Sequence, residues 1–247
     1  MVNTSPEGVA APVPQPAVSL LSRFIGIITA PKDTFAAVAA HPRWLGMLAL
    51  TTVIVAIGTT APLLTEGGKQ SMLDQQVQML ERFGMTIPDE AYAQMQQRLR
   101  YAAPQQFVSA LVGIPVLVLV LAGILFGIFA IVGGQASFKQ LFAVVVHAGV
   151  IFAASLVFLG PLNYFRESMS GATNLAVLLP MLDEHSFLGR LFGMIDLFWI
   201  WWLIVLAIGL GVLYRRRTQP IAVTLFSIYG VFILGFAAIM GMFGRSN

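Results

Sequence analysis

The chain predicts an all-α membrane protein, a bundle of five transmembrane helices with N-terminal interfacial helices and an extracytoplasmic helical hairpin. Three observations carry that expectation. Charged residues are 10% of the 247 and mean hydropathy is +0.83; soluble domains carry ~25% charge, so most of this surface must face lipid. Five stretches are apolar over roughly the twenty residues that a ~30 Å hydrocarbon core demands. The best marked of them, Arg190 to Arg217, also has a direction. Asp196 and the indoles Trp199, Trp201 and Trp202 stand at one end, and Tyr214 followed by Arg215, Arg216 and Arg217 at the other. Aromatic rings settle at headgroup level and arginines stay on the cytoplasmic side.

In chain order, Met1 to Pro16 is proline-rich, lacks the basic start of a signal peptide and reads as a disordered cytoplasmic tail. Its Asn3-Thr4-Ser5 sequon is therefore expected to stay unmodified. Residues 17–247 form the membrane domain. From Ala17 to Ile28, Leu20, Leu21, Phe24 and Ile28 recur at helical spacing over a length too short to cross. A second short helix is expected from Pro31, a residue suited to a first helical position. Both read equally as helices lying in the inner interface or as helices packed on the bundle.

The spans are expected at about 44–64, 107–132, 141–159, 194–214 and 221–243. Between the first two, residues 65–106 are polar and Gln-rich and read as an outer helical hairpin. Its apolar stripes are Leu73, Val77 and Leu80 on one arm and Tyr92, Met95, Leu99 and Ala102 on the other. The Phe83 to Pro88 stretch supplies the turn. Met72, Met79, Met85 and Met95 lack the tight spacing of a Cu(I) site and read as packing. Gly123-x-x-x-Gly127 in the second span and Gly149-x-x-x-Ala153 in the third are close-packing faces, within the bundle or between copies in a homo-oligomer. Gly160 to Gly189 is a second outer loop whose apolar piece, Leu175 to Leu182, rests on the membrane or caps the bundle.

Five spans put the two ends on opposite sides. The short loops holding Lys139, Arg215, Arg216 and Arg217 contain no acid, while the other side carries acids from Glu66 and Asp74 to Asp183 and Glu184. The N-terminus is therefore expected inside and the C-terminus outside.

Several of these residues resemble the Yip1 family of five-span membrane proteins, and its bacterial members in particular. They are Pro31-Lys32-Asp33-Thr34-Phe35 before Trp44, Gly133-Gly134-Gln135-Ala136-Ser137-Phe138 before the third span, and Ile195-Asp196-Leu197-Phe198-Trp199 through Gly209. The resemblance runs from about Leu20 and implies the fold and a place in a bacterial inner membrane. Eukaryotic relatives are associated with Rab-type GTPases and vesicle traffic. Their Asp-Leu-Tyr-Gly-Pro signature has no counterpart here, so that partner is not carried over.

Candidate chemistry is sparse. With no cysteine, disulfides and thiolate sites are excluded, and no basic face suits nucleic acid. No HExxH, GxSxG, P-loop or dinucleotide fingerprint occurs, so no enzyme, cofactor or metal is expected. His185 beside Asp183 and Glu184 is a weak ligand set without a second cluster. Two ionisable residues fall in or near lipid, where an Asp at a helix centre costs ~2.5–3.5 kcal/mol. His147 lies ~9 Å inside the third span, and Asp196 stands at the outer end of the fourth, near loop cations such as Arg166 or Arg190. Their depths differ by ~15 Å, which rules out one shared site. His147 reads as a packed residue or a proton relay. The expected function is a non-catalytic membrane protein that scaffolds partners or organises the bilayer, its partners being lipids and a protein. A small-solute transporter or channel is the alternative.

Overall fold

Five helices among the described residues are long and apolar enough to cross a membrane: Leu45–Leu64, Asp89–Ile131, Phe138–Phe165, Leu197–Tyr214 and Thr218–Ile239. The computed structural model describes residues 19–82, 84–165, 173–179, 181 and 186–243. The N-terminal tail and the candidate ligands Asp183, Glu184 and His185 lie outside these residues, as does Arg166. In chain order the helices are α1 Leu20–Thr29, α2 Pro31–Ala40, α3 Leu45–Thr60, α4 Glu66–Arg82, α5 Asp89–Arg98, α6 Ala102–Ile131, α7 Phe138–Ala148, α8 Val150–Phe165, α9 Phe187–Gly193, α10 Leu197–Tyr214 and α11 Thr218–Phe243. The fold is all-α, as the apolar runs predict.

The centre of the bundle is α7. Every residue from Leu141 to Ala148 is buried, so this helix is enclosed on all sides. It packs against α2, α6 and α10, with α3 and α8 completing the wall. Ser137 starts it with a capping box: its hydroxyl accepts from the Gln140 N–H at 3.3 Å, and Gln140 Oε1 accepts from the Ser137 N–H at 3.0 Å.

The two short N-terminal helices lie against this centre. Ser19 caps α1 by accepting the Ser22 N–H at 3.1 Å, and Pro31 occupies the first turn of α2. Phe35 is fully buried, and a β-carbon at Gly209 of α10 would stand 3.0 Å from its ring and 2.7 Å from Val144 Cγ1. Only a glycine lets α2 come this close. Gln140 Nε2 donates to the Ala39 carbonyl at 3.0 Å, which ties the end of α2 to the start of α7.

Several boundaries differ from the sequence expectation, each for a physical reason. The helix that carries the second span begins well before 107, because α5 runs through a 3-10 turn at Leu99–Tyr101 into α6. The continuous piece has 43 residues. The stripes of the outer hairpin are covered only in part: Leu73 and Ala102 are buried and Val77, Leu80, Met95 and Leu99 half-buried, while Tyr92 is exposed and α5 buries no residue fully. The third span is one run, Phe138–Phe165, with a single-residue turn at Gly149 between α7 and α8, across which the Gly149 N–H keeps the helical bond to the Val145 carbonyl at 3.2 Å. The fourth helix starts after Asp196 and not at Met194, because that carboxylate takes up its first amides.

The glycine faces are redistributed too. Added β-carbons at Gly123 and Gly127 would meet nothing within 4 Å, so this pair faces away from its own bundle. The close approach between spans is made elsewhere: a β-carbon at Gly58 of α3 would lie 2.9 Å from Leu156 Cβ of α8, and one at Gly160 would lie 3.4 Å from the Gly58 Cα. Ala153 of the other face is fully buried, while Gly149 sits at the turn between α7 and α8.

Candidate functional site

Asp196 is held as a helix cap. Its backbone is extended, and Oδ1 accepts the N–H groups of Phe198 at 2.7 Å and Trp199 at 3.3 Å. These amides have no partner within the helix, and a carboxylate at a helix N-terminus is also favoured by the helix dipole. Thr173 Oγ1 donates to Oδ2 in a short contact. Around this pair the chain is pinned by backbone bonds, Leu175 N–H to Ile195 O at 2.9 Å and Leu197 N–H to Thr173 O at 3.1 Å. Tyr229 of α11 donates its hydroxyl to the Met194 carbonyl at 3.0 Å. Thr173 was not anticipated. It lies 23 residues from Asp196 in an irregular loop, and no periodic signal links them.

His147 is fully buried near the end of α7. Its Nδ1 stands 2.7 Å from the Ala143 carbonyl, which can only accept, so Nδ1 carries the hydrogen. Nε2 has no hydrogen-bond partner among the described residues. The Arg23 guanidinium of α1 is close enough to act electrostatically on the ring, which opposes a metal cation there. Arg23 itself is anchored by a 3.1 Å bond from Nη1 to the Arg43 carbonyl. His147 and Asp196 have separate partners on separate helices.

A cavity of about 540 Å³ opens between α3, α6, α8 and α10. It runs from Asp196 and Thr173 at one end to Val145 and Gly149 at the α7–α8 turn, and His147 does not line it. The polar side chains along its body are Thr51 and Ser155. Thr51 Oγ1 donates to the Met47 carbonyl at 2.9 Å and Ser155 Oγ to the Phe152 carbonyl at 2.8 Å, so neither offers a hydrogen to the cavity. Its mouth passes between α6 and α10, at the exposed side chains of Leu117 and Trp199.

At the opposite end of the bundle the two turns with the basic residues lie side by side. Arg216 donates to the Val132 carbonyl at 2.8 Å, and the Tyr214 ring stacks on Phe129 with centroids 4.1 Å apart. Arg215 closes α10 in the left-handed conformation, φ 52°. Arg215, Arg216 and Arg217 are all exposed.

The Yip1 domain matches residues 25–239 of the chain. The chain belongs to the Yip1 family. The match covers His147, Asp196, the cavity and the arginine turn, so each of these features sits inside the Yip1 domain. No curated protein and no solved structure gives a match. A Yip1 domain with five crossing helices makes this a multi-pass membrane protein.

Proposed function

We propose that this Yip1 protein is a non-catalytic scaffold or membrane organiser that works through surface contacts, in a bacterial inner membrane with its N-terminus inside. The observation that carries the proposal is α5, a polar helix that buries none of its residues fully although it is continuous with a membrane span. A helix that leaves its own fold uncovered is available to a partner. The distribution of polarity agrees, because charged residues avoid the span centres and the cavity wall is apolar. The family is not a known enzyme family.

The test compares the full chain with a variant lacking 66–98 and with His147→Phe, each expressed to the same level. A partner held by the full chain and by His147→Phe in mild detergent, and lost from the deletion, is the expected result. Solute flux through the purified protein in liposomes that is abolished by His147→Phe would establish the transport reading instead. Orientation follows from Gln75→Cys and Thr218→Cys. An impermeant thiol reagent on intact cells should label position 75 and spare 218; the reverse pattern overturns the orientation.

A further inference from the structure

We infer that the cavity between α6 and α10 is a binding site for one acyl chain of a membrane phospholipid whose head carries an ammonium group, placed at Asp196. Three features lead to this occupant. The first is the wall: Thr51 and Ser155 are bonded back to their own helices, and apart from the indoles of Trp199 and Trp202 the rest of the described cavity body is apolar. A trapped water needs 2–4 polar partners and would not find them there. At about 540 Å³ the space lies within the ~300–1,000 Å³ range of small-molecule sites and calls for hydrocarbon.

The second feature is the opening. α6 packs on α3 and α7, and α10 on α2, α7, α8 and α11; the two meet at the arginine end, where Phe129 stacks on Tyr214, and towards Asp196 the exposed Leu117 and Trp199 line the cavity, which opens there to the lipid side. The hydrocarbon nearest to such a mouth is a lipid tail. A chain can enter past Leu117 without leaving its leaflet, and its far end would rest near Gly149, at the turn in the third span.

The third feature is the polar end. Among the described residues Asp196 is the one ionisable side chain lining the cavity. A carboxylate has about four lone-pair sites. Phe198, Trp199 and Thr173 use three, two at Oδ1 and one at Oδ2, which leaves Oδ2 able to accept another hydrogen. Among the residues whose side chains are described, which include neither Arg166 nor Arg190, no lysine or arginine forms an ion pair with Asp196. Its negative charge at headgroup level suits an ammonium and repels a head with only phosphate charge. Trp199 at the mouth supplies an amphipathic ring at the same depth.

The experiment uses the full chain in mild detergent, with phosphatidylethanolamine or phosphatidylglycerol of identical chains as probe and native mass spectrometry as readout. The expected result is one retained phosphatidylethanolamine in preference to phosphatidylglycerol. Leu117→Trp, a lipid-facing change that leaves the core intact, should close the mouth and weaken retention by about tenfold or more, the effect of spoiling an apolar pocket. Asp196→Asn keeps the cap acceptor and should bring retention of the two lipids to parity. Equal retention of both by the wild-type chain, unchanged by Leu117→Trp, would mark ordinary boundary lipid and overturn the inference. A lipid-free dimer joined by a disulfide through Leu117→Cys would overturn it as well, by showing that a second copy covers the mouth.

Discussion

Replacing Gly209 by valine should prise α2 from the bundle, and Phe35→Ala should put it back. A β-carbon at position 209 would stand 2.7 Å from Val144 Cγ1 and 3.0 Å from the Phe35 ring, and valine adds two methyls beyond it. Overpacking of this kind costs ~1–3 kcal/mol. Phe35→Ala alone removes a fully buried ring. Such changes cost ~3–5 kcal/mol in water-soluble cores. Here the lower end is expected, because a membrane environment supplies part of the apolar surroundings to an undocked ring. In the double variant the new methyls occupy the vacated ring position, so its loss should fall short of the summed losses by ~0.5–3 kcal/mol. Thermal unfolding in detergent measures the three variants. Tryptic cleavage after Arg43, whose carbonyl is bonded to Arg23 in the docked state, reports release of α1 and α2. Strict additivity, or Gly209→Val with unchanged cleavage, would refute the docking argument.

Asp196→Asn should cost only a few tenths of a kcal/mol, since asparagine accepts the same amides, whereas Asp196→Ala should lose ~0.5–2 kcal/mol in the same unfolding assay. Gly58→Val should lower the melting temperature through its clash with Leu156, at ~1–3 kcal/mol, while Gly123→Val should leave the isolated protomer unchanged. If Gly123→Val instead alters the apparent mass in detergent without altering protomer stability, that glycine face joins copies of the chain.

The crossings were legible because long apolar runs leave few alternatives. Trp44, Tyr214 and the three arginines mark span ends through interface chemistry that needs no partner. What was not legible depended on partners. Gly123 and Gly127 show that two glycines allow a close approach without saying which helix makes it, and Gly58 with Gly160, too far apart in sequence to form a motif, make the contact. The turn at Gly149 was hidden because a glycine before a buried alanine reads the same whether it packs or bends. α1 and α2 have the same apolar periodicity whether lipid or protein covers them, so the seat of Phe35 on Gly209 could not be read. The role of Asp196 was half visible: its position before Phe198 and Trp199 suits a cap, but Thr173 arrives from a loop with no pattern.

The helical run from Asp89 to Ile131, joined through the 3-10 turn at Leu99–Tyr101, also gives the protein a long arm. At 1.5 Å per residue it is ~64 Å long, twice the depth of a hydrocarbon core. Its free tip is α5, and its opposite end bears on Tyr214 and Arg216 through Phe129 and Val132. The 3-10 turn at Leu99–Tyr101 and Pro115 within α6 are the points where an arm of this length bends.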